Sequence, residues 1–162
     1  MTVEYDFDGR VVLVTGAAGA LGSAVAEAFD AAGATVCAAD IVDPEDGDGE
    51  VAVDLSRVDY YQGDFTDEAT VEEVVETVVD EHGQLDALCN VAGTWRGGDP
   101  IDETEADTFD FLMDLNLKTM FLASKHSVPH LRETDGAIVS VSARSSLEGG
   151  EGDGIYRASK AG

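Results

Sequence analysis

Positive charge is what this 162-residue chain has least of: nine lysines and arginines stand against 34 acidic residues, a formal net charge of −25. Three of the nine are lysines: Lys118, Lys125 and Lys160. Without a basic patch to neutralise phosphates, no nucleic-acid partner is expected. The acid is spread along the chain rather than gathered in one tail, which argues against a dedicated acidic docking surface. Adaptation to a high-salt cytoplasm explains it better. At molar salt the Debye length shrinks to ~3 Å and self-repulsion is tolerable, so a halophilic source is expected.

Long apolar runs are also missing: none approaches the ~20 residues that span a bilayer, so no membrane partner is expected. The first ten residues carry Glu4, Asp6 and Asp8 and no apolar core of a signal peptide, which predicts that none is present. Cysteine is scarce. Cys37 and Cys89 fall inside predicted buried strands with no zinc-ligand spacing, so they read as small core residues in a reducing compartment, with no metal site. These absences together predict a soluble, cytoplasmic protein.

What is present is a normal apolar content of 44%, enough for one domain with a sizeable core. The chain is organised around Thr15-Gly16-Ala17-Ala18-Gly19-Ala20-Leu21-Gly22. Before it, Val11 to Val14 reads as a strand buried on both faces. After it, Leu21, Ala24, Val25, Ala28 and Phe29 recur at helical spacing. A glycine-rich turn between strand and helix lets backbone approach a diphosphate while the helix N-terminus faces the anion. A second strand over 34–39 ends at Asp40, 18 positions beyond Gly22. A carboxylate there suits a ribose 2′-hydroxyl and repels a 2′-phosphate, favouring NAD over NADP.

Further along, 42–57 reads as a solvated acidic loop without chemistry, and 58–62 as a third strand. Thr66 is the expected cap of a helix with Val71, Val74, Val75, Val78 and Val79 inward. Residues 85–89 form a fourth strand, leading to Asn90-Val91-Ala92-Gly93 and a loop with Trp95 and Arg96, which either touch substrate or cover the core. A helix is predicted from Glu105 to Leu131, with Phe109, Leu112, Met113, Leu117, Met120 and Phe121 on its buried face. Asn116 shares that face, so it either ties the helix to backbone or positions a water or catalytic group. A fifth strand covers 136–142, and Tyr156 and Lys160, four apart, project from one face of a following helix. The alternation predicts an α/β fold with a parallel sheet covered by helices on both faces.

In order and spacing, TGAAGALG at 15–22, Asp40, Asp64, NVAG at 90–93, Asn116 and YRASK at 156–160 resemble the short-chain dehydrogenase/reductase family over nearly the whole chain. The resemblance implies a doubly wound, Rossmann-type sheet of order 3-2-1-4-5, with residues 1–162 a dinucleotide-binding domain cut short at its C-terminus. It implies an NAD(P)-dependent oxidoreductase acting on a small alcohol or carbonyl compound, homo-oligomeric at full length. Thr15, Gly16, Gly19, Leu21 and Gly22 would line the diphosphate and nicotinamide ribose. Asp64 and Phe65 would sit at the adenine, and Asn90, Ala92 and Gly93 would support sheet and cofactor. Tyr156 would be the acid/base, Lys160 would bind the ribose and lower the tyrosine pKa, and Asn116 would hold a relay water.

Three departures stand out. Ala20 replaces a common glycine, and the spacing also fits the epimerase-like branch. Ala143 stands 13 residues before Tyr156, where the family carries a catalytic serine. Ser142 and Ser145 are near, and strand periodicity points them elsewhere. Either one substitutes, Ser142 being the candidate, or the site works without a serine, as in members resembling dihydropteridine reductase. Finally, the family continues past Gly162, which implies a fragment or truncated product, with a cofactor-binding module lacking catalysis as the alternative reading. An isomerase or dehydratase that uses bound NAD transiently is a third.

Overall fold

The structure, a computed structural model, describes residues 5–44, 52–148 and 151–161. Strands β1 (Val11–Thr15), β2 (Thr35–Asp40), β3 (Asp59–Gln62), β4 (Ala87–Asn90) and β5 (Ala137–Ser140) pair in parallel in the order β3-β2-β1-β4-β5. This is the expected Rossmann-type order. The central strand β1 is buried along its whole length, which is why it reads as a continuous apolar run. Its alternate side chains serve opposite faces. Leu13 packs with Cys37, Leu88, the valines of α2 (Glu68–His82) and Leu122 of α4 (Thr119–Glu133). Val12 and Val14 pack with Val36, Ala38, Cys89 and Ala26 of α1 (Ala20–Ala31). Both cysteines are free, and burial raises their thiols to about 12 and about 11, so they are inert core residues.

From β1 the chain moves outward through β2 to β3, then returns to lay β4 on the other side of β1. The order therefore reverses between β1 and β4, and the carboxyl ends there open a crevice. β5 lies at the edge of the described sheet, with Ile138 and Val139 exposed. Among the described residues no helix is long and apolar enough to cross a membrane.

Several local expectations need correction. The buried face of α1 is Gly22, Ser23 and Ala26, while Leu21 is 54% exposed. Small residues let that helix approach the sheet, and a stripe drawn through large apolar residues misses them. Asp67, not Thr66, caps α2, its carboxylate accepting the Thr70 N–H at 2.9 Å. The predicted long helix is α3 (Ala106–Met113), a π-helical turn (Asp114–Lys118) and then α4. Phe109 and Phe121 are exposed, and the inward face runs instead through Leu112, Asn116, Thr119, Leu122, Ala123, Ser127 and Leu131. The wider π turn rotates everything after it relative to a regular 3.6-residue register. In the acidic stretch, 45–51 lie outside the described residues, but Val53 is buried and the Ala52 N–H donates to the Ala18 carbonyl at 3.0 Å. That segment therefore packs back on the glycine turn rather than staying wholly solvated.

Candidate functional site

The carboxyl ends of the strands surround a cleft of about 820 Å³. The β1–α1 turn forms its floor. Gly16 has φ +70°, and a Cβ there would stand 2.7 Å from the Ala92 backbone; one at Gly22 would stand 2.1 Å from the Gly16 carbonyl oxygen. Glycine is thus required where the turn folds onto β4 and onto itself. Gly19 is different: its Cβ would meet nothing closer than 3.6 Å, and the residue lies on the cleft. Helix α1 starts beside it with no side-chain cap and no acid in its first turn, so its leading N–H groups remain available to an anion.

Asp40 ends β2 at the cleft, its two carboxylate oxygens accepting the Ala18 and Val42 N–H groups at 3.0 and 3.2 Å. These bonds aim the carboxylate and leave it further acceptor capacity. Asp64 turns its carboxylate onto Thr66, and Phe65 is buried; both reach the cleft after β3.

On the opposite wall, Tyr156 and Lys160 come from α5 (Gly154–Ala161) and both line the cleft, as their spacing predicts. Lys160 is 8% exposed, and among the described residues its amine makes one hydrogen bond, to the Val141 carbonyl at 3.4 Å. Burial pulls its pKa below the ordinary lysine value. A Cβ on Gly93 would lie 2.6 Å from that amine and 2.7 Å from Asn116 Oδ1. Only a glycine lets the β4 turn come so close to both.

Thr15, Asn90 and Asn116 stand behind the cleft. Thr15 Oγ1 accepts the Val91 and Ala92 N–H groups, joining the ends of β1 and β4. Asn90 donates to Ser124 and Ser140. Asn116, in the π turn, holds Thr94 by both backbone groups: Oδ1 accepts its N–H at 2.7 Å and Nδ2 donates to its carbonyl at 2.9 Å. The same Nδ2 donates to Ser159 Oγ, which donates to the Tyr156 carbonyl. One amide therefore ties the Thr94 loop to the Tyr156 helix.

Ser142 and Ala143 both line the cleft, because β5 ends at Ser140 and strand alternation no longer applies; Ser145 does not line it. Sequence reasoning passed over Ile41, Val42, Thr94, Leu115 and Val141, which also form the walls. Trp95 does not cover the core. It is 59% exposed on the cleft, its indole N–H donating to Asp153 at 3.1 Å, while Gly98 N–H donates to the Gly152 carbonyl. These bonds stitch the two glycine-rich loops together. Beyond the seam lies a second cleft of about 340 Å³, with Tyr156 in the walls of both. Arg96 borders the second cleft, its guanidinium 3.8 Å from the Phe111 ring centroid.

The family model described as short chain dehydrogenase matches residues 10–162. The 3-oxoacyl-acyl-carrier-protein reductase of Thermotoga maritima is 39% identical over 96% of this chain and 64% of its own length. The meso-2,3-butanediol dehydrogenase of Serratia marcescens is 33% identical over 95% of this chain and 61% of its own. The chain thus spans just under two thirds of these curated relatives. Among solved structures, an NADH-dependent reductase responsible for alginate metabolism, complexed with NAD, superimposes with TM-score 0.83 at 29% identity, covering 96% of this chain and 68% of that one. The chain belongs to the short-chain dehydrogenase family.

Proposed function

We propose that residues 1–162 form the nicotinamide-dinucleotide-binding part of an oxidoreductase acting on a small alcohol or carbonyl substrate. One observation carries the reading: a single cleft at the switch point gathers an uncapped helix N-terminus, the Asp40 carboxylate, the Lys160 amine and the Tyr156 phenol. These groups suit the parts of such a cofactor. The N–H groups of α1 beside Gly19 receive the diphosphate. Asp40 accepts from the adenosine ribose and disfavours a 2′-phosphate, so NAD is preferred to NADP. Asp64 and Phe65 flank the adenine, and Lys160, with spare donors, takes the nicotinamide ribose. When bound, the cofactor supplies or accepts the hydride.

Tyr156 then gives or takes the proton at the substrate oxygen, from the wall shared by the two clefts. Thr15, Asn90, Ala92 and Gly93 hold the sheet ends in place for it. Asn116 fixes the Tyr156 helix to the β4 loop, and a water at its free Oδ1 lone pair would carry protons outward. The even spread of acid along the chain supports a cytoplasm of high salt, and a cleft of about 820 Å³ supports a small-molecule partner.

Trp95 is the single tryptophan and lies on the cleft, so its fluorescence reports occupancy directly. Titration in molar salt should show NADH binding at least about tenfold tighter than NADPH, a difference of about 1.4 kcal/mol. Asp40→Ala should erase that preference. Failure of both dinucleotides to bind would sink the reading.

A further inference from the structure

We propose that Thr94 supplies the hydrogen bond to the substrate oxygen that a serine at position 143 would otherwise make. This rests on the carbonyl-reducing reading above. A carbonyl that accepts hydride develops negative charge on oxygen, and two donors aimed at that atom stabilise it better than one. Tyr156 is one donor. The position of the usual second donor is occupied by Ala143, which has none.

The other donors on the cleft can be taken in turn. Ser142 Oγ lies 2.5 Å from the Lys160 carbonyl and gives its hydrogen there. Thr119 Oγ1 donates to the Leu115 carbonyl at 2.8 Å. The Trp95 indole donates to Asp153. Lys160 lies behind Gly93, where the ribose is expected. The Thr94 hydroxyl has no partner among the described residues, and the residue lines the cleft half-buried. Its backbone is also the best restrained in the loop, since Asn116 holds both its N–H and its carbonyl. A free hydroxyl on a doubly pinned backbone is what a pre-aimed donor requires.

In the step, a bound reduced nicotinamide would supply the hydride that the carbonyl carbon gains and would itself be oxidised. The oxygen gains the proton of Tyr156, and the carbonyl π bond becomes a C–H and an O–H bond. Thr94 forms and breaks no covalent bond; its O–H donates to the oxygen while charge builds.

The test compares the parent chain with Thr94→Val, Thr94→Ser, Ala143→Ser and the Thr94→Val/Ala143→Ser double variant, in NADH-dependent reduction of simple ketones and a quinonoid pterin. Thr94→Val should lower kcat roughly 100-fold while leaving the NADH dissociation constant unchanged. Thr94→Ser should keep activity, and Ala143→Ser should recover at least about tenfold in the Thr94→Val background. Unchanged kcat in Thr94→Val overturns the proposal, as does an equal loss of NADH binding, which would mark a structural role. NADH binding with no turnover in the parent chain and in all four variants overturns it too while leaving the cofactor site standing. Absence of NADH binding in the parent chain overturns the functional reading itself.

Discussion

Helices α1 and α2 each follow a strand of the same sheet, and their N-termini are built in opposite ways. α2 begins at Asp67, whose carboxylate accepts the Thr70 N–H and hydroxyl, and carries Glu68 in its first turn. The exposed Glu68 also meets Lys125 and His126 of α4. α1 begins at Gly19, with no side-chain cap and no acid in its first turn. In a chain with 34 acidic residues that gap is informative. Acid at a helix N-terminus is stabilising, and α2 uses it twice; α1 forgoes the benefit and keeps its dipole end free for an external anion. Stability is gained at the α2 terminus and forgone at the α1 terminus.

The comparison can be broken most severely at Gly22. Gly22→Val places side-chain carbon against the Gly16 carbonyl, where backbone cannot yield, and should destabilise the fold by about 3 kcal/mol. Loss of helical circular dichroism on mild heating checks it. Gly19→Ala meets only ordinary contact distances, so the fold should survive while NADH affinity drops. Equal damage from both would remove the distinction between a packing glycine and a binding one.

A smaller effect is expected from making α1 resemble α2. Ala20 is exposed on the cleft, and Ala20→Asp should weaken NADH about tenfold in low salt and less in molar salt, read by Trp95 fluorescence. No change would mean that the anion sits elsewhere.

The smallest effect comes from making α2 resemble α1. Asp67→Ala should lower Tm by a few degrees without altering NADH binding. Its bonds to Thr70 hold the Asp67 carboxyl below the usual carboxylate range. The depressed folded-state value means that the cap stabilises above the ordinary carboxylate pKa of ~3.9 and fails as pH falls through the folded value. Thermal melts of parent and variant should therefore differ at neutral pH and converge in strong acid.

Much of this was legible in the residues. The β-branched run 11–14, the glycine turn, Asp40, the valine stripe of α2 and the Tyr156–Lys160 spacing each encode their element locally, because periodicity and turn chemistry act over a few residues. The errors fell where distant packing decides. Phe121 looked buried until a π turn at Asp114–Lys118 shifted the register, and Phe109, ahead of that turn, is exposed because α3 turns Leu112 inward. Leu21 looked like core, but small Gly22, Ser23 and Ala26 make that contact. Thr66 and Asp67 are both good caps by type, and only the path of the chain after Phe65 chose between them.

By itself the sequence determined the parallel sheet and the cofactor-side motifs, since those follow from short-range pattern, while the strand order was implied by the family resemblance those motifs carry. Only the tertiary structure decided which side chains are free to act. Ser142 is lost to the Lys160 carbonyl 18 residues away, and Asn116 pins Thr94 across 22 residues. The Trp95–Asp153 bond closes a seam across 58. A hydroxyl can donate one hydrogen bond, and whether it is already given depends on neighbours that sequence distance does not reveal.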